Sequence, residues 1–190
     1  MDIQSTDICP AEWAEGLDIK IRKWVHNPQK IFAPYITPTM KILDIGCGPG
    51  FFSVGLAPFI EEPGHIMSVD LQQGMLDKVK KKIEGTALEK KITLHKCEKN
   101  SLNLTGTFDF AFAFWVIHEI PNKERLFREL HSLLTPDGTI LIVEPKVHTG
   151  KNYFAELEKI VHKSGFEVIG QAKVFFSRGI VLRKREHAVL

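Results

Sequence analysis

From Met40 onward, short runs of β-branched and aromatic residues alternate with stretches whose apolar positions recur every three to four residues. The alternation of a strand-like with a helix-like period predicts a parallel sheet covered by helices. Strands are expected at residues 40–45, 65–69, 92–97, 108–115 and 139–143, the fourth so uniformly apolar that it should be buried on both faces. A helix over 52–60 should end or bend at Pro58. Met75, Leu76, Val79 and Ile83 define the apolar stripe of the next helix, with Gly85 as its stop and Lys78, Lys80, Lys81 and Lys82 on its solvated face. Leu126, Phe127, Leu130, Leu133 and Leu134 mark a helix capped by Asn122 and ended before Pro136 and Gly138. Tyr153, Phe154, Leu157, Ile160 and Val161 mark another, closed at Ser164-Gly165. Two strands, 167–175 and 177–183, are joined too closely for a helix and should form an antiparallel hairpin. Upstream, residues 13–25 read as helical, and Asn27-Pro28 suits the start of a short helix through Pro34.

Composition narrows the class. The 190 residues, 44% hydrophobic and 25% charged, suit one core rather than two domains, and a net charge of +2 gives little support to phosphate-backbone binding. Three scattered cysteines, Cys9, Cys47 and Cys97, suggest neither a disulfide framework nor a zinc ribbon, and a reducing cytoplasm is expected. The polar, acidic N-terminus and the lack of a long apolar run point away from export and membrane insertion.

The candidate chemistry begins at the first strand, which runs into Asp44-Ile45-Gly46-Cys47-Gly48-Pro49-Gly50 and then a helix. Such a turn lets backbone approach a ligand at the carboxyl edge of a sheet, and the free amides of the helix start favour a negative group. Asp70, ending the second strand, has the position and chemistry to accept both hydroxyl protons of a ribose. A nucleoside-bearing ligand across the first two strands follows. The glycine spacing differs from the Gly-x-Gly-x-x-Gly of dinucleotide folds, and Asp44 suits an ammonium better than a pyrophosphate.

With LDIGCGPG, VDLQQGML, FDFAFAFWVIHEI and LLTPDGTILIVEP in this order, the chain resembles the class I S-adenosylmethionine-dependent methyltransferases from residue 40 to its C-terminus. The resemblance implies an α/β three-layer sandwich, Rossmann-like, whose seven-stranded, mostly parallel sheet has the order 3-2-1-4-5-7-6 and an antiparallel last strand. One domain spans 1–190, with 1–38 as a helical lid segment over a core of 39–190. S-adenosyl-L-methionine is the implied cofactor. Asp44, Gly46 and Gly48 would border its methionine part, with Cys47 inside the same loop. Asp70 would hold its ribose with Leu71 beside the adenine, Met75 would be a further cofactor-binding residue, and Phe114 and Trp115 would offer backbone to the amino group. Many relatives carry an aspartate after the third strand. This chain has Cys97-Glu98-Lys99, with Glu98 as the residue left to meet the adenine amino group.

The loop after the fourth strand offers His118 and Glu119 as catalytic candidates. His118 is either a general base or a histidine bonding nearby backbone, and Glu119 either orients it, contacts substrate or merely starts a helix. Asn122 four residues after His118 rules out a histidine-pair zinc site, and no metal is implied. A second cluster, Glu144, Lys146 and His148, follows the fifth strand and either presents charge to a polar substrate or pins a loop. A small-molecule acceptor is expected, with no membrane partner and nucleic acid disfavoured. An RNA or protein acceptor, or cofactor binding without turnover, are the alternatives.

Overall fold

The computed structural model describes residues 26–147 and 149–185. The helix expected at 13–25, most of the lid segment and His148 lie outside them. Seven strands, β1 (Lys41–Ile45), β2 (His65–Asp70), β3 (Ile92–Lys96), β4 (Phe108–Phe114), β5 (Leu134–Pro145), β6 (Phe166–Ala172) and β7 (Ser177–Lys184), form one sheet. Its order is β3-β2-β1-β4-β5-β7-β6, as the resemblance implied. Pairing is parallel from β3 through β5, and β7 runs antiparallel to both β5 and β6.

Strand β4 shows how the sequence sets the layers. Its residues alternate Phe110, Ala111, Phe112, Ala113, Phe114, so that aromatic rings and methyl groups go to opposite faces. On the phenylalanine side, Phe32 of α1 (Pro28–Phe32) lies 4.5 Å from the Phe112 ring, and Phe52 of α2 (Phe51–Leu56) lies 4.3 Å from Phe114. Leu76, Val79 and Ile83 of α3 (Gln73–Ile83) complete that layer. Against the small side pack Leu126, Phe127 and Leu130 of α4 (Lys123–Leu133) with Phe154, Leu157 and Val161 of α5 (Lys151–Lys163). Bulk supplied by the sheet on one face is supplied by the helices on the other, which keeps both layers filled.

Several element boundaries differ from expectation. Helix α2 ends at Leu56 and continues as a 3₁₀ turn over Ala57–Phe59, because Pro58 cannot donate to the α-helical ladder. Strand β5 begins at Leu134, not 139: Leu134 already pairs with Phe108, and the register slips between Phe108 and Phe110, accommodating Pro136 and Gly138 in an irregularity instead of a break. Strand β6 stops at Ala172, since the chain turns through Lys173–Phe176, where Phe176 adopts φ 51° and the Ser177 amide donates to the Val174 carbonyl at 3.1 Å. Helix α1 is likewise shorter than read, ending at Phe32, with the Asn27 side chain accepting from the Lys30 amide at 3.0 Å.

Candidate functional site

Loops leaving the carboxyl ends of β1, β2, β4 and β5 meet at one edge of the sheet. The loop after β1 turns through Gly46, Gly48 and Gly50 at φ 67°, 52° and 80°. It is tied down by backbone bonds from Cys47 to the Val69 carbonyl (2.9 Å) and from Gly50 to the Cys47 carbonyl (3.0 Å). The Lys82 ammonium, read as part of a solvated face, donates to the Pro49 carbonyl. A methyl group on Gly46 would sit 2.5 Å from Val116, so this glycine lets the β1 and β4 loops touch. Beside Gly48 there is open space, and a methyl group there would project into it.

The two acids frame that space differently. Asp44 is 2% exposed, and its carboxyl accepts the Ser53 hydroxyl, which in turn accepts Ser68 Oγ at 2.7 Å. Burial pushes the Asp44 pKa up to about 7, against the downward pull of the Ser53 bond. Asp70 receives the amides of Gly48 and Gln72 on its two oxygens, both at 2.8 Å, which fixes its plane between the two loops. Each oxygen retains a second lone pair for a hydroxyl donor. Burial raises the Asp70 pKa while the Gln72, Gly48 and Leu71 amides oppose it. Met75 is buried, Leu71 half-buried, and Glu98 exposed, its backbone paired with Ser101.

After β4 the chain turns sharply. Trp115 stands at φ 62°, a strained value for a bulky residue, held by its amide on the Val143 carbonyl (2.7 Å) and its indole on Ser177 Oγ (2.9 Å). The ring of Phe114 is turned into the aromatic layer against Phe52. His26, which no local pattern marks, sets its ring edge-on to Phe114 and Trp115 at 5.3 and 5.1 Å and its Nε2 3.2 Å from the Phe175 carbonyl.

The partner of His118 is not its chain neighbour. Glu144, fully buried at the end of β5, accepts the Ile117 amide at 2.8 Å on one oxygen and bonds His118 Nδ1 with the other. Glu119 comes only within 3.9 Å of His118 Nε2. Glu144, not Glu119, is therefore the carboxylate that fixes the His118 ring, and it is buried instead of presented at the surface. Its bond holds the His118 pKa above the ordinary histidine value, with burial pulling the other way and the Glu144 charge reinforcing the rise. Lys123 donates to the Ile120 carbonyl at 2.8 Å, and burial lowers its pKa. With Pro121, Tyr153, Leu157 and Ile160 it lines a cavity of about 300 Å³ between α4 and α5.

These features test the cofactor that the sequence implied. A loop whose central glycine faces open space, a clamped carboxylate where the resemblance puts the ribose and a buried carboxyl where it puts the ammonium fit S-adenosylmethionine. A methyltransferase domain model matches residues 36–177. The chain belongs to the class I S-adenosylmethionine-dependent methyltransferases, and S-adenosylmethionine is the cofactor. It is 32% identical to demethylmenaquinone methyltransferase of Lactobacillus johnsonii over 54% of this chain and 42% of that one. It is 34% identical to malonyl-[acyl-carrier protein] O-methyltransferase of Legionella pneumophila over 62% of this chain and 39% of that one. The matched part thus spans about two fifths of each of these relatives. A SAM-dependent methyltransferase of Aquifex aeolicus has the same fold, with a TM-score of 0.80, 22% identity, and coverage of 91% of this chain and 97% of that one.

Proposed function

We propose that the protein transfers the methyl group of S-adenosylmethionine to a small-molecule acceptor whose nucleophilic atom, oxygen or nitrogen, carries a proton. The observation that carries this reading is the bond from Glu144 to Nδ1 of His118 at the edge of the sheet that holds the glycine loop. A histidine fixed through one ring nitrogen by a buried carboxylate turns the other nitrogen outward in a set direction, which is the arrangement a general base needs. The relatives are named for demethylmenaquinone and for malonyl-[acyl-carrier protein], and the first of these is a small molecule.

Bound S-adenosylmethionine supplies an activated methyl group, so the residues need only position the acceptor, take its proton and exclude water. Asp44 meets the cofactor ammonium and Asp70 the ribose hydroxyls, with Gly46, Cys47 and Gly48 giving backbone beside the methionine part. Leu71 and Met75 flank the adenine, Glu98 stands at its outer side, and Phe114 and Trp115 offer backbone to the methionine amino group on the β4 side. His118 Nε2 receives the acceptor proton, and Glu144 stabilises the imidazolium that forms. Glu119, at the rim, contacts the acceptor. The free thiols of Cys47 and Cys97 suit a reducing cytoplasm.

The test is transfer of labelled methyl from S-adenosylmethionine to a panel of phenols, enols, hydroxy acids and amines. Turnover that falls by about a hundredfold in His118→Ala while cofactor affinity holds supports the reading. Transfer only to RNA or protein, or unchanged rates in that variant, would overturn it.

A further inference from the structure

Val147, Phe176 and Phe175 are the three most open of the large apolar side chains among the described residues, at 83%, 64% and 57% exposure. All three belong to the edge that carries the site. Pro145, at the end of β5, pairs with Ser177, at the start of β7, so the loop after β5 and the β6–β7 turn leave the sheet side by side. They are laced together: the Lys146 amide donates to the Phe176 carbonyl at 3.0 Å. The Phe175 and Phe176 rings meet edge to face at 4.5 Å, which holds both outward as one apolar ridge. Phe176 reaches this position only through a positive φ of 51°, a conformation that a bulky residue adopts when its surroundings enforce it.

The charge carried by the two stretches that form the ridge is of one sign. The stretches 145–154 and 169–178 contain no aspartate or glutamate, and Lys146 and Lys173 are exposed beside the aromatic pair. Exposed aromatic rings set among lysines are the composition that partitions into an anionic lipid headgroup layer, the rings entering the acyl boundary and the ammonium groups staying with the phosphates. The geometry points to this ridge as a docking surface for an anionic membrane, with the methyltransferase site facing the bilayer. Such docking is separate from spanning: no described helix is long and apolar enough to cross a membrane. A contact made by two short turns of the folded chain leaves no long apolar run to be read in the sequence. An amphiphilic acceptor would then enter the site from the lipid layer without crossing water.

The inference does not depend on His118 acting as a base, and vesicle binding tests it without turnover. The full chain is used, because residues 1–25 leave from His26, which bonds the Phe175 carbonyl. Co-sedimentation is measured with vesicles of phosphatidylcholine containing phosphatidylglycerol and with phosphatidylcholine alone. Binding is expected with the anionic vesicles, weakening as salt is raised. The pair Phe175→Ser and Phe176→Asn should cut the partition coefficient by at least about tenfold, and Lys146→Glu with Lys173→Glu should do so in the anionic vesicles. Unchanged thermal midpoints would show that these surface variants fold. A wild-type chain that ignores anionic vesicles, an equal partition for the phenylalanine variant, or self-association through the same ridge with the vesicles left unbound would each overturn the assignment.

Discussion

Glu144 and His118 are separated by 26 positions in the chain and joined side chain to side chain, with the carboxyl fully buried and the imidazole half-buried. The bond raises the pKa of His118, so the pair stabilises the fold most when the imidazole is protonated. That stabilisation is complete below the ordinary histidine value, near 6.5, and fades as pH rises through the raised folded value. A base must be neutral, so methyl transfer should increase over the same interval. Glu144→Gln keeps an acceptor for the Ile117 amide but removes the charge. It should move the His118 titration, followed by NMR, to lower pH, carry the rising limb of the rate profile with it, and lower the plateau by roughly tenfold to a hundredfold. Coincident titrations in the two proteins would separate Glu144 from the base.

Asp44 predicts a linkage of the same sign at lower pH. Its pKa is raised from 3.8 to about 7 by burial, so the folded chain holds a proton that the unfolded chain releases. Stability contributed by the protonated acid is therefore lost as pH climbs from about 4 toward 7. Asp44→Asn should raise the stability of the ligand-free protein at pH 8 by about 2 kcal/mol, the penalty of keeping a carboxylate buried. The same variant should lose affinity for S-adenosylhomocysteine, since the ammonium loses its counter-charge. In the wild type that affinity should rise through pH 7 with release of a proton. Calorimetry in buffers of different ionisation enthalpy measures the release, and affinity flat from pH 5 to 8 would contradict the assignment.

How much of this could be read from the chain depends on distance along it. The apolar β4 run, the α3 stripe and the turn after β1 are local patterns, and the structure keeps all three. The partner of His118 is not local. Sequence proximity favours Glu119, whereas the parallel pairing of Phe114 with Val143 sets the turn after β4 beside Glu144. The mark that Glu144 left in the sequence was an acid closing an otherwise apolar strand. His26 was invisible for the same reason, its contact with Phe175 spanning 149 positions. Pro136 and Gly138 misled in a different way: they read as breakers, but an irregular β4–β5 register absorbs them within β5.

Tyr153 provides a test of stability free of catalysis. Its hydroxyl is buried and finds no hydrogen-bond partner among the described residues, and burial, reinforced by the Glu144 charge, raises its pKa. An unsatisfied buried hydroxyl costs about 1–3 kcal/mol, so Tyr153→Phe should raise the unfolding free energy by roughly 1 kcal/mol. Denaturant unfolding at equilibrium measures it. A loss of stability would mean that the hydroxyl is satisfied by a bound water.

Gly46 and Gly48 share a left-handed backbone and should nevertheless fail in different ways when replaced by alanine. Both substitutions incur the left-handed strain of about 1 kcal/mol. At Gly46 the new methyl would also stand 2.5 Å from a Val116 methyl and 2.9 Å from its Cβ, and Val116 leads into the His118 turn. Relief requires the β1 and β4 loops to part, so Gly46→Ala should lower the thermal midpoint by several degrees, weaken S-adenosylhomocysteine and disturb the His118 titration together. At Gly48 no atom lies within 4 Å of the added methyl. Gly48→Ala should therefore melt close to wild type yet bind S-adenosylhomocysteine at least tenfold more weakly, because the methyl takes space that belongs to the ligand. The decisive quantity is the ratio of affinity lost to stability lost, which should be larger at Gly48. Equal ratios would mean that the space beside Gly48 does not receive the cofactor.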